Sequence, residues 1–287
     1  MRIGIIGGGS IGLLLASHLG AVHKVSLYVR TEKQKKAVNE NGVICDGMMR
    51  EIKAYSNNEQ MKEQDLLIVA VKQYHLQSLT LPSNPDLLFL QNGMTHLSFI
   101  QHLPNNCALG IVEHGAMKAS EYEVFHTGNG SIRLANHHGK EMASQLVDLL
   151  GSEKFPIYFH DDYWNMLSEK LIINTVINPL TAIFKVNNKY ILENDHIRKL
   201  AELLCEEGSR ALGLIHEEQW QRICRIAQST GENQSSMLKD LNEERKTEID
   251  AICGFILKKL EGEAPYHNFV IESVHALEAI NYKGEAI

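Results

Sequence analysis

The chain opens on an apolar run, Ile3, Ile5 and Ile6, breaks at once into glycine, and turns apolar again over 13–19. A short continuous apolar run suits a strand buried on both faces, and the second stretch suits a helix. Between them lie Gly7, Gly8, Gly9, Ser10, Ile11 and Gly12, with Gly7, Gly9 and Gly12 in the G-x-G-x-x-G spacing. In a strand–turn–helix such glycines allow a tight turn, close backbone approach to a pyrophosphate, and close helix–strand contact. The helix N-terminus offers N–H groups and partial positive charge to that diphosphate. A plain structural turn would use glycine too, but the strand before and the helix after favour a dinucleotide.

Further apolar runs at 24–29, 65–71, 87–90 and 107–112 alternate with helical or loop segments, which predicts a parallel sheet covered by helices. Over 113–134 the residues alternate around the glycine turn Thr127-Gly128-Asn129-Gly130, predicting an antiparallel extension of that sheet. After about residue 160 the strand pattern ends. Helical spacing follows over 164–184, 195–212, 217–228, 235–260 and 264–280. The expected fold class is α/β: a Rossmann-type doubly wound sheet over 1–164, then an all-helical domain over 165–287.

Composition narrows the function classes. Hydrophobic content of 44% and charged content of 22% are ordinary for a soluble globular enzyme. A formal charge of −7 argues against a nucleic-acid-binding surface, though not against a local basic pocket. The five cysteines are scattered without a C-x-x-C pair, which points to reduced structural thiols and a cytoplasmic setting. No stretch approaches the ~20 uninterrupted apolar residues of a membrane span. The glycine cluster also breaks what would otherwise start like a signal peptide. Fourteen histidines, including His137-His138, show no metal-ligand spacing, so no metal is expected.

Three places carry candidate chemistry. Arg30 stands at the end of the second strand, where NAD-specific folds usually place an acidic residue, and Thr31 and Lys33 follow. A guanidinium there can hold a 2′-phosphate, which favours NADP(H); an exposed arginine at a strand end is the bland alternative. Lys170, Asn174 and Asn178 recur at i, i+4, i+8 inside an apolar helical segment, drifting about 40° per step. They make either a pocket wall or a solvated stripe. Pro179 would kink this helix and free a backbone carbonyl. Further on, Ser235 or Ser236 reads as a helix N-cap, and Glu248 taken alone as a surface helix residue.

Taken together, these segments resemble the ketopantoate reductase (2-dehydropantoate 2-reductase) family over essentially the whole chain. The carrying motifs are the glycine turn, Val71-Lys72-Gln73, Gln91-Asn92-Gly93-Met94, the block from Trp164 through Lys170, Asn174 and Asn178-Pro-Leu-Thr181, and Asn233-Gln-Ser-Ser236-Met-Leu-Lys-Asp240 with Thr247-Glu248-Ile-Asp250. The resemblance implies NADPH-dependent reduction of 2-dehydropantoate to (R)-pantoate in pantothenate biosynthesis. It implies that Lys170 is the general acid and that Glu248 bonds the substrate hydroxyl. It puts Asn92, Asn174, Asn178, Asn188, Asn233 and Ser236 on the substrate. Gly7 to Gly12, Arg30, Lys72, Gln73, Asn92 and Glu248 would line the coenzyme, in a cleft between the two domains. A small 2-keto acid is the expected partner, and a homodimer through the helical domain stays open. Thr95 departs from the pattern, standing where the family often has a second glycine. Two rivals remain: a reductase of another 2-keto or 3-hydroxy acid, and a non-catalytic NADP-binding redox sensor, which would need neither Lys170 nor Glu248.

Overall fold

The computed structural model describes residues 1–57, 59 and 61–281. Residues 282–287, which sequence alone assigns to the helical domain, lie outside the described residues. The chain divides into two compact units, one of Met1–Gln91 with His96–Met166, the other of Asn92–Thr95 with the chain from Leu167 onward.

The strands in chain order are β1 (Arg2–Ile6), β2 (Lys24–Val29), β3 (Val43–Cys45), β4 (Met48–Arg50), β5 (Lys53–Ser56), β6 (Leu66–Val69), β7 (Asp86–Phe89), β8 (Cys107–Val112), β9 (Gly115–Lys118), β10 (Glu123–Gly128), β11 (Ile132–His138) and β12 (Ile157–Phe159). The main sheet has eight strands in the order β12-β11-β8-β7-β6-β1-β2-β5. Its pairs are parallel except β8 with β11. From β1 the chain winds outward through β2 and β5, then crosses to β6 and winds the other way. The loops after β1 and β6 therefore flank the switch point, where such sheets bind ligands. Ile3, Ile5, Ile6 and all of β6 are buried, as strands covered on both faces require. This is the Rossmann-type sheet that the alternation of strands and helices predicts.

The antiparallel extension is only partly correct. β11 does join the main sheet against β8, but β9 and β10 pair with β3 and β4 in a separate four-stranded sheet. The cause lies upstream. Asp46 and Gly47 both take positive φ (49° and 79°) and link β3 to β4 as a two-residue hairpin, Cys45 facing Met48. Asp-Gly is a strong signal for such a turn, and the resulting ribbon presents β3 as a parallel partner for β10.

The helices are α1 (Ser10–Leu19), α2 (Glu32–Asn41), α3 (Leu97–Ile100), α4 (Ala143–Leu150), α5 (Tyr163–Phe184), α6 (Tyr190–Glu193), α7 (Asp195–Leu212), α8 (His216–Ser229), α9 (Ser236–Asn242), α10 (Ile249–Lys259) and α11 (Pro265–Asn281). The single helix expected over 235–260 is in fact two, α9 and α10. Glu244 takes a left-handed φ of 52°, and Arg245 folds back so that its N–H bonds the Asp240 carbonyl while its guanidinium bonds the Asp240 carboxylate. No described helix is long and apolar enough to cross a membrane.

Two histidines of the first unit are held neutral inside it. Burial pushes His96 down to about 3 and His114 down to about 4. His114 stacks on Phe155 at 4.0 Å, and its Nδ1 lies 3.0 Å from His126 Nε2. A histidine whose pKa is depressed in the fold costs stability as pH falls below its ordinary value, because the unfolded chain takes the proton first. For His114 alone that cost is on the order of 3 kcal/mol once the pH reaches about 4. Denaturant titrations should therefore show stability falling steadily from pH 7 towards pH 4.5; a flat profile would contradict this packing.

Candidate active site

Each glycine of the first turn answers to a different neighbour. Gly7 has a φ of 118°, and a Cβ there would sit 2.9 Å from the Ala70 carbonyl carbon. A Cβ on Gly12 would fall 1.8 Å from the Gly7 carbonyl oxygen, so α1 can start against the turn only with glycine at that position. Gly9 is the opposite case: a Cβ there meets nothing within 4 Å. Gly9 also precedes α1, whose N-terminus has no side-chain cap and no acidic residue in its first turn. Open space before uncapped N–H groups suits a diphosphate. Ser10 and Ile11 form the start of α1, and both are half-buried. Gln34 holds the turn in place, donating from Nε2 to the carbonyls of Gly8 and Glu121, each at 2.8 Å. No sequence motif marks Gln34; only the structure brings it to the loop.

Arg30 lies exposed just past β2, and its Nη1 is 3.0 Å from His75 Nε2. A guanidinium only donates, so the ring nitrogen accepts and His75 is neutral here. Burial lowers the His75 pKa, and Arg30 and Lys72 lower it further. Thr31 caps α2 through Gln34 N at 3.2 Å. Lys72 and Gln73 follow β6, and Gln91 braces that strand end by donating to the carbonyls of Val69 (2.8 Å) and Val71 (3.0 Å). Arg30 and Lys72 thus bring two cationic side chains beside a neutral His75 at one end of the sheet, a pair suited to a phosphate dianion.

In the second unit, α5 carries Lys170, Asn174 and Asn178 on successive turns, the first two half-buried and the last buried. The helix continues through Pro179 unbroken. Proline has no N–H for the carbonyl four residues back, and that carbonyl, Thr175 O, instead accepts from Cys253 Sγ at 3.7 Å. Thr181 Oγ1 lies 2.7 Å from the Ile177 carbonyl and 2.8 Å from Ser235 Oγ. Ser235, not Ser236, caps α9, accepting from Leu238 N at 3.1 Å. Ser236 is left exposed, its Oγ taking a long 3.5 Å bond from Asn178 Nδ2. Asn188 donates Nδ2 to Thr230 Oγ1 at 2.9 Å and its backbone N–H to the Asn233 carbonyl at 3.0 Å; Asn233 is exposed.

Asn92 and Glu248 meet directly. Asn92 Nδ2 donates to Glu248 Oε2 at 3.0 Å. Gly93, at φ 80°, lets the loop come so near α10 that a Cβ would sit 2.1 Å from the Ala251 carbonyl oxygen. Thr95 needs no such freedom, because its φ is not positive. Among the described residues no group of three or more His, Cys, Asp or Glu is placed to hold a metal ion.

The fold defines the class first: a Rossmann-type sheet followed by a helical second half. The chain belongs to the ketopantoate reductase PanE/ApbA family, whose N-terminal model matches residues 3–139 and whose C-terminal model matches residues 162–278. The 2-dehydropantoate 2-reductase of Bacillus subtilis (strain 168) is 38% identical over 97% of this chain and 98% of its own. That of Listeria monocytogenes is 34% identical over 93% of this chain and 94% of its own. Among solved structures, a probable 2-dehydropantoate 2-reductase from Bacillus subtilis superimposes with a TM-score of 0.87 at 37% identity, covering 96% of this chain and 100% of the other. D-mandelate dehydrogenase, solved with NADH and anilino(oxo)acetate, gives a TM-score of 0.89 at 25% identity over 98% and 99%.

The glycine geometry makes a paired prediction. Gly12→Ala should destabilise the protein by about 1–3 kcal/mol through overpacking, whereas Gly9→Ala should leave the thermal midpoint unchanged. Equal losses in calorimetry would contradict the open space at Gly9.

Proposed function

We propose that the protein reduces 2-dehydropantoate to (R)-pantoate with NADPH, as a step of pantothenate biosynthesis in the cytoplasm. The observation that carries this reading is the bond between Asn92 and Glu248, which seats the loop after β7 on the first turn of α10. The full-length similarity to the Bacillus subtilis reductase supports the choice of substrate. Five free cysteines, four of them buried, suit a reducing compartment.

The turn Gly7–Gly12 and the open N–H groups of α1 would hold the coenzyme's diphosphate, with Arg30 and Lys72 at the 2′-phosphate and Gln73 and Asn92 further along. When bound, NADPH supplies the reducing equivalent that the keto carbon accepts. Lys170 donates the proton to the oxygen of that carbon, and its charge favours the alkoxide as it develops. Glu248, a carboxylate already held by Asn92, accepts a hydrogen bond from the nascent hydroxyl. Asn174, Asn178 and Ser236 orient the substrate, with Ser236 on its carboxylate and the turn of Asn188 and Asn233 beside it. One observation favours a second reading. The likeness to a D-mandelate dehydrogenase solved with NADH fits reduction of a different 2-keto acid, with NADH as coenzyme.

Two variants test the proposal. Lys170→Ala should lower kcat by about 10²- to 10⁴-fold in a steady-state assay, with NADPH affinity unchanged; near-normal turnover would remove Lys170 from the chemistry. Arg30→Ala should weaken NADPH binding by roughly tenfold or more while leaving NADH binding alone, as loss of a charge-assisted phosphate contact implies. Parallel losses for both coenzymes in a fluorescence titration would assign Arg30 a merely structural role.

A further inference from the structure

We propose that His275, Glu278 and Asp250 form a clamp that positions Glu248 for its work on the substrate. The proposal rests on the role given to Glu248 above and adds the residues that hold it.

Glu248 sits at the N-cap of α10, yet its side chain caps nothing there. The backbone around it is fixed from α11 instead. Thr247 N donates to Glu278 Oε1 at 2.7 Å, a strong bond to a side chain only 11% exposed. The other Glu278 oxygen lies 3.2 Å from His275 Nδ1, and His275 Nε2 lies 2.9 Å from Asp250 Oδ1. Residue 247 is thus tied by Glu278, and residue 250 is tied through His275 to that same carboxylate. Glu248 lies between the two ties. With its backbone held on both sides, its carboxylate stays aimed at Asn92 Nδ2.

The clamp needs a proton. Ionised carboxylates only accept, so a ring that bonds one carboxylate through each nitrogen must carry hydrogen on both. Burial alone would lower the His275 pKa, but the hydrogen bonds and charges of Glu278 and Asp250 outweigh it and raise the pKa above its ordinary value. Asp250 comes from α10 and Glu278 from α11 itself. A raised pKa means the clamp is complete at lower pH and is lost as pH rises through it, when one carboxylate loses its donor.

The test is a double-mutant cycle on the full-length enzyme with NADPH and 2-dehydropantoate, run from about pH 6 to about pH 9, with thermal midpoints and NADPH affinity measured alongside. His275→Ala should lower kcat/KM about tenfold at the acid end, where the wild-type clamp is intact, with NADPH affinity unchanged. The deficit should shrink at the alkaline end, where the wild type has lost the clamp as well. In the Glu248→Gln background, His275→Ala should cost nothing further. His275→Gln, which keeps one donor and much of the ring's bulk, should show the same pH trend and covers the case in which the alanine variant folds poorly. Equal losses with and without Glu248, or a deficit independent of pH, would overturn the clamp. Full activity of Glu248→Gln would overturn the role of Glu248 itself, a different result from additivity.

Discussion

Pro179 has no N–H to give to the Thr175 carbonyl, and much of the second unit is arranged around how that deficit is met. An unsatisfied carbonyl inside a packed helix costs free energy comparable to a lost hydrogen bond. Cys253 of α10 answers it, a buried thiol pressed against α5. Two residues past Pro179, Thr181 reaches Ser235 and so fastens the start of α9 to the same stretch of helix. From the α7 side, Gly208 comes so close that a Cβ would lie 2.4 Å from Ile172 Cδ1. Next to it, Glu207 accepts from His267 Nδ1 at 2.7 Å and from the backbone N–H groups of Tyr266 and His267, anchoring the start of α11. The proline that interrupts the hydrogen-bond ladder of α5 therefore lies where neighbouring helices converge, one residue beyond Asn178. The polar face of Lys170, Asn174 and Asn178 is held by this packing, because the partners of α5 take the places its own backbone leaves open.

The first unit solves a different problem with similar means. Its glycine turn must pass between β1 and α1 without side chains, and the close contacts at Gly7 and Gly12 show why substitutes fail sterically. Gly9 differs from both: a Cβ there would meet nothing within 4 Å, so no contact inside the described chain demands glycine at that place. Gln34 and Gln91 do comparable work on the two loops beside the switch point, each spending one amide on two backbone carbonyls. Such bonds cost little sequence and fix loop geometry firmly.

The elements that sequence made plain are those with one dominant local signal. The strand–glycine–helix opening, the apolar strand at 65–71 and the long helix through Pro179 needed no tertiary information. Ser235 and Ser236 could not be separated, because both are good caps and only the partner Thr181 decides between them. The second sheet was hidden because β3, β4 and β9 are too short for alternation to show, although Asp46-Gly47 announced their hairpin. The break after α9 was hidden because the polar residues from Asn242 to Lys246 keep helical spacing; the fold-back of Arg245 onto Asp240 is a tertiary choice. Glu248 shows the limit most clearly. Alone it is one acidic residue among 35 Asp and Glu; in the sequence only the family resemblance singles it out, and the structure adds a bond from Asn92, 156 positions away.

The account stands or falls on whether the face of α5 serves one keto acid. Purified protein, saturated with NADPH, should be offered 2-dehydropantoate beside a panel of other 2-keto acids, benzoylformate among them, and coenzyme oxidation followed by fluorescence. The account predicts that kcat/KM for 2-dehydropantoate exceeds that for every other acid in the panel. It would be contradicted by tight coenzyme binding with no turnover of any 2-keto acid, or by a clear preference for benzoylformate with NADH.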